Sequence, residues 1–325
     1  MSDTNVPTLA ELFGPNPPTN WGKWGAEDEI GTLNYLGPKE ALKGVAEVKT
    51  GESYTLQIQM GWDDGRGDPV WPGRPQIERK NVRDAEVWAR GETGLDPYPG
   101  GLTDADDVAT IALQGSTQYD ALGHTWYDDQ IWNGYDSQTT AGALSKASIL
   151  PIAEHGIVGR GVLIDMARHR GKDVLDKGET FTHEDVLAAA EAQGVEIRPR
   201  DILVIRTGFI GSWYSRRPEE FFADFIEPGL TYSRELVEWF RSMEIANLVT
   251  DTIANEVTTD PESGVLLPLH AAFLRNLGLL MTEMTILDEL AEACAADGRW
   301  SFLYTAAPLK VVGGTGAPVN PVVIR

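Results

Sequence analysis

The chain has 325 residues, 42% of them apolar, enough to bury one large core, and its 49 acids against 27 bases leave a net charge of −22. That surplus repels nucleic acid and anionic lipid head groups, and no run nears the roughly 18 apolar residues of a membrane span. Cys294, the one cysteine, excludes an internal disulfide and a thiolate zinc cluster, and its alanine-rich setting reads as a buried, inert thiol.

The first residues, Met-Ser-Asp-Thr-Asn, carry neither the basic end nor the apolar run of a signal peptide, so a cytoplasmic protein is expected. Residues 1–35 hold Pro7, Pro15, Pro17 and Pro18 with Trp21, Trp24 and Tyr35, the composition of an irregular arm anchored by its rings. From Tyr54 through Leu56, Ile58 and Met60 the apolar residues alternate, which predicts a strand with one buried face. Residues 61–105 are rich in glycine and proline and read as a long loop, a lid or a subunit contact. Val108 to Leu113 reads as a strand leading into the stretch 114–124. The apolar runs 161–165 and 201–207 suit strands covered on both faces. Between them a helix is punctuated by Thr182 with Asp185 at its start and Gly194 with Pro199 at its end. Leu236, Trp239, Phe240 and Met243 recur at helical spacing, so 232–243 is an amphipathic helix. A strand at 246–250, a helix near 270–276, a strand near 279–282, a helix over 287–296 and a long strand over 300–312 complete the alternation. Such alternation argues for an α/β class in one domain spanning 1–325, with 1–35 as its arm.

Within Gln114-Gly-Ser-Thr-Gln118-Tyr-Asp120-Ala-Leu-Gly-His124, residues capable of binding a metal or moving a proton fall at spacings of four, two and four. Donors at such spacings can converge where a strand bends into a loop. A glutamine oxygen is a neutral and weak donor beside imidazole, which shifts preference toward oxygen-loving ions. Two further residues stand out downstream: His270, after Leu266-Leu-Pro-Leu, and Glu283, after the apolar run 277–281. In isolation each of these side chains has a plain reading as a turn, capping or surface residue. His155, His169 and His183 lie in polar stretches and are assigned no chemistry. Trp126, Tyr127, Trp132 and Tyr135 are near enough in sequence to wall a pocket for a flat substrate, and equally suited to a core or a subunit contact.

The 114–124 stretch resembles the signature HxGTHxDxxxH of the metal-dependent cyclase family, which includes kynurenine formamidase and isatin hydrolase, with glutamines in place of the two leading histidines. The segment 270–290 is similar to the family's C-terminal signature, and Pro199–Gly208, Pro228-Gly-Leu, Thr250-Asp-Thr252 and Ala307-Pro-Leu-Lys310 match its landmarks. The resemblance implies the swivelling β/β/α fold, a mixed sheet core with surrounding helices. It implies one divalent ion, Mn²⁺ or Zn²⁺ with Mg²⁺ as a further option, held by Gln114, Gln118, Asp120, His270 and Glu283. Asp120, His124 and Glu283 become the catalytic set, with His124 as general acid and base; nearness to the motif in sequence, not the resemblance, makes Trp126, Tyr127 and Trp132 the expected substrate walls. The implied activity is hydrolysis of an amide, imide or lactone bond in a small cyclic or aromatic metabolite, by water that the metal activates. Two alternatives stay open: a metal-independent lyase, isomerase or hydrolase in which the glutamines bind substrate, and a binder of small molecules without turnover. The acidic surface and aromatic arm suit a homodimer or homotetramer.

Overall fold

Nine strands form one mixed sheet in the computed structural model, which describes residues 6–325 apart from 63–65, 97 and 225. From edge to edge the strands are Ser53–Thr55, Val322–Ile324, Ser301–Ala306, Ile157–Asp165, Ile202–Arg206, Asn247–Thr250, Leu280–Glu283, Gln118–Asp120 and Gly316–Pro318. The four from Ile157–Asp165 to Leu280–Glu283 run parallel, and every other pairing is antiparallel. All residues of Ile202–Arg206, Asn247–Thr250 and Leu280–Glu283 are buried, the condition under which a strand reads as a continuous apolar run rather than an alternation. Ser301–Ala306 buries every second residue, Phe302, Tyr304 and Ala306, as an antiparallel strand with one face on the core does.

The helices lie where their punctuation puts them. His183–Gln193 starts on a capping box formed by Thr182 and Asp185 and ends on Gly194 in the left-handed conformation. Arg234–Ser242 buries Leu236, Val237 and Phe240, and Asp288–Asp297 buries Leu290, Ala291 and Cys294. Burial pushes the Cys294 thiol up to about 12, which leaves it inert. No helix among the described residues is long and apolar enough to cross a membrane.

Four expectations are corrected. The stretch read as one long loop contains an antiparallel hairpin, Glu78–Arg83 against Asp106–Thr110, and a helix, Ala85–Arg90. The strand read at 108–113 belongs to that hairpin and ends at Thr110. The last strand stops at Ala306, ahead of Pro308, which has no N–H to give a ladder. Finally, the helix near 270 is one turn, Pro268–His270, that widens into a π-helix over Ala271–Leu277.

The arm does more than cover the body. Trp21 donates its indole N–H to the Arg275 carbonyl at 2.6 Å, and Asn20 donates to Leu277 O at 2.9 Å. Thr32 clamps two parallel strands: its hydroxyl donates to Ala246 O at 2.8 Å and accepts from Leu280 N at 3.2 Å. Beside it Gly31 sits at φ +52°, and a Cβ there would lie 2.1 Å from the Gly278 carbonyl oxygen. Backbone on both sides of that contact cannot yield as a side chain would. Gly31→Ala is therefore expected to destabilise the protein by about 1–3 kcal/mol through overpacking, plus about 1–2 kcal/mol for the left-handed backbone. Thermal unfolding checks this, and a melting temperature equal to that of the parent would contradict the contact.

Candidate metal centre and active site

Parallel strands leave their backbone ends open at the carboxyl edge of a sheet, and the polar residues of this chain gather there. Glu283 is the last residue of its strand, and Asn255 and Glu256 follow the end of Asn247–Thr250. The antiparallel strand Gln118–Asp120 lies alongside, with Gln118 directly opposite Glu283. Because side chains alternate along a strand, Gln118 and Asp120 share the face of Glu283 while Tyr119 turns into the core, where Asn247 donates to its hydroxyl at 2.8 Å. A motif spacing of two thus becomes two oxygen-bearing side chains on one side of a sheet.

Asp120, His270 and Glu283 offer ligand atoms that all lie within 4.8 Å of one another, and all three are buried. His270 Nε2 is 3.1 Å from Glu283 Oε1 and 3.9 Å from Asp120 Oδ2. Its other nitrogen, Nδ1, is 2.7 Å from Glu256 Oε1. Glu256 also accepts from the backbone N–H of Leu269 and His270 at 2.7 Å each, so one carboxylate both starts the helical turn and fixes the imidazole. Burial alone would depress His270, but its bonds to Glu256 and Glu283 and their charges carry it well above its usual value.

Gln118 Nε2 donates to Glu283 Oε2 at 2.5 Å, and Asn255 Nδ2 donates to Glu283 Oε1 at 3.2 Å. Their amide oxygens, Gln118 Oε1 and Asn255 Oδ1, have no hydrogen-bond partner, and neither has Asp120 Oδ1. Such buried acceptors are costly unless something satisfies them. A divalent cation is a fitting occupant for two carboxylates, an imidazole nitrogen and an amide oxygen, and a set so rich in oxygen favours a hard ion. An amide presents oxygen or N–H₂ by a half turn about its last bond, so Gln118 can serve either Glu283 or an ion.

His124 stands at the mouth of this cluster, its Nε2 3.9 Å from Asp120 Oδ2. Burial lowers its proton affinity, Asp120 opposes this, and the positive charges of His270 and Arg74 add to it, which favours the neutral imidazole. Gly123 makes the approach possible: a Cβ there would meet Leu144 at 2.9 Å and the Ala147 oxygen at 3.2 Å. Asp120 is moved the other way, up, by burial and by the charge of Glu283 against the pull of His124, His270 and Arg74.

A cavity of about 250 Å³ opens onto Asp120, His124, His270 and Glu283. Its apolar walls include Leu9 from the arm, Trp71, Trp126, Ile253 and Leu266. A larger hollow of about 420 Å³ over Tyr54, Gln57, Trp62 and Tyr214 is lined, among the described residues, by one carboxylate, Glu289, and no imidazole, so the cluster of ionisable groups belongs to the smaller one. Three left-handed residues other than glycine, Asn255, Leu267 and Met284, adjoin Glu256, the helical turn and Glu283. Strained backbone of this kind gathers around functional sites.

The remaining residues read from sequence lie elsewhere. Gln114 sits in the turn before the strand, donates its amide to Thr315 Oγ1 at 2.9 Å, and does not line the cavity. Of the three aromatic residues, Trp126 alone is in the wall. Tyr127 lies under the Arg275 guanidinium, 3.7 Å from ring centroid to Cζ, and donates to Asn276. Trp132 is fully buried, with its indole N–H directed to the Asp28 carbonyl at 3.1 Å. Asn255, Glu256 and Arg74 were not singled out in the sequence; an acid fourteen residues before His270, just past a strand end, is the one faint mark Glu256 leaves.

Residues 53–257 match the Cyclase family model. No curated protein sequence matches the chain. A crystal structure described as a novel cyclase is 34% identical over 95% of this chain and 100% of its own, with a TM-score of 0.85. Isatin hydrolase A from Labrenzia aggregata, bound to benzyl benzoate, is 19% identical over 88% of this chain and 97% of its own, with a TM-score of 0.59. Isatin hydrolase A from Ralstonia solanacearum is 16% identical over 84% of this chain and 92% of its own, with a TM-score of 0.58. At those last two identities the likeness is one of fold.

Proposed function

The chain belongs to the cyclase family, with that family's mixed α/β fold, and from this premise we propose a hydrolase that opens an amide, imide or lactone bond of a small cyclic or aromatic metabolite. One observation carries the reading: a buried Asp120, His270 and Glu283 cluster and a neutral-leaning His124 line one cavity. Asp120, His270 and Glu283, with the amide oxygen of Gln118, would hold a divalent cation, for which manganese is the proposed identity. When bound, that ion supplies a Lewis acid for the carbonyl and makes water more acidic. His124 takes a proton from the attacking water at Nε2 and returns it to the departing nitrogen or oxygen. Glu256 holds the His270 ring so that Nε2 faces the cluster. Trp71 and Trp126 provide flat apolar surface for the body of the substrate and exclude bulk water from it.

A second reading has its own support, because Gln118 and Asn255 donate hydrogen bonds to both oxygens of Glu283, which satisfies that carboxylate without an ion. In that case His124 and Asp120 would move protons by themselves. Metal analysis of protein purified without added ions, followed by turnover of cyclic lactones, imides and formyl-anilines with and without EDTA, separates the two. Hydrolysis that EDTA abolishes and Mn²⁺ restores is the expected result; full turnover in EDTA would establish the metal-free reading instead.

A further inference from the structure

Arg74 is the only arginine or lysine among the described residues that line the cavity. Several buried or half-buried arginines of this chain meet carboxylates: Arg83 meets Asp104 and Asp106, Arg160 meets Asp201, and Arg206 meets Asp165 and Asp288. Arg74 donates from Nη1 to the Gln114 carbonyl oxygen at 2.9 Å and makes no ion pair among the described residues. A half-buried guanidinium in a cleft gives up part of its hydration, and a neutral carbonyl satisfies one of five N–H groups. Its charge is nonetheless felt at Asp120 and His124, with which it lines the cavity.

The segment that brings Arg74 there is held down. Val70 is buried and Trp71 packs with it on the cluster of Ile58, Ile253 and Met284, so the guanidinium has a fixed base rather than a loop tip. Trp71 and Trp126 line the same cavity, next to the charge. A planar fork of N–H donors in a cavity that two indoles also line matches a carboxylate on a flat or aromatic body, because the fork can donate to two oxygens in one plane.

We propose that Arg74 forms an anion-binding subsite, and that the substrate carries a carboxylate, apart from the bond that is broken, which this subsite receives. The assignment rests on the hydrolase reading for its meaning as substrate selection, while its test needs no turnover. Segment 61–105 then serves the cavity of its own chain, supplying both the charge and one indole wall.

Isothermal titration with phenylacetate and with its neutral isostere phenylacetamide tests the subsite in the parent protein, Arg74→Leu and Arg74→Lys, each in EDTA and in MnCl₂, with circular dichroism to verify folding. Arg74→Leu is expected to weaken phenylacetate by about 10- to 100-fold and phenylacetamide by less than about threefold, with Arg74→Lys recovering part of the loss, and the same ratios in EDTA. Equal losses for both ligands would reduce Arg74 to a packing role and overturn the proposal. Phenylacetate binding that disappears in EDTA and is indifferent to Arg74→Leu would overturn it too, by making the cation the anion receptor. Because binding alone is read, a protein that holds phenylacetate through Arg74 yet opens no lactone, imide or formamide would retain the subsite and lose the hydrolase reading.

Discussion

His124→Ala is expected to lower kcat by about 10²–10⁴ while the amount of metal bound per chain stays the same. The expectation separates two roles that lie close together in space. His124 Nε2 is 3.9 Å from Asp120 Oδ2, but the buried triad with converging ligand atoms is Asp120, His270 and Glu283. Removing the imidazole therefore leaves the proposed donors to the ion in place and takes away the group proposed to carry the proton. Added imidazole offers a stringent check, since it can enter the space that the deletion opens and restore part of the rate without altering any ligand. Loss of the ion in His124→Ala would move the residue from proton transfer into the ligand set. Unchanged kcat would remove it from the mechanism.

The local motif is where sequence and site agree most closely, and the reason is geometric. Gln118, Asp120 and His124 lie within seven positions on a strand and the turn after it, so spacing alone carries their relation. Gln114 shares that spacing and yet faces Thr315, because it lies in the turn closed by Gly115 N–H to the Ala112 carbonyl and the chain bends through 115–117 before the strand begins, so the alternation does not extend back to it. Arg74, Asn255 and Glu256 reach the cavity or its edge by topology. A lone arginine in a glycine-rich segment, or an acid after a strand, has no local pattern to distinguish it from solvated charge.

The same contrast runs through the fold. Ile202–Arg206 is buried throughout and reads as an apolar run, and the helix at His183–Gln193 carries its stop and start signals in Thr182, Asp185 and Gly194. Glu78–Arg83 and Asp106–Thr110 form a hairpin almost wholly exposed to solvent, so neither face imposes an apolar alternation and the strands are invisible to periodicity. The closing strands Gly316–Pro318 and Val322–Ile324 are three residues each, too short for a period to repeat. Trp132 is the instructive aromatic: its nearness to His124 in sequence suggested a substrate wall, but Gly278 presses on its ring and the N-terminal arm takes its N–H.

Asp120→Asn should abolish the rise in melting temperature that MnCl₂ gives the parent protein, and with it most of the hydrolysis. A ligand present at 100 times its dissociation constant stabilises the native state by about 2.7 kcal/mol, a shift of a few degrees that needs no substrate to observe. Asp120 is one of two carboxylates in the cluster, its Oδ1 has no partner, and an amide in its place keeps the shape while removing the charge a divalent ion requires. The sign of the effect reverses once the ion is withheld. Buried acids drawn together without a cation repel one another and have surrendered their hydration, so in EDTA the asparagine variant is expected to melt at or above the parent. That crossing of two melting curves, lower than the parent with manganese and no lower without it, is the signature of a site that keeps its charge for binding rather than for stability. A variant that still gains the full manganese-dependent shift would place the ion elsewhere, and one that melts well below the parent in EDTA would make Asp120 a structural acid.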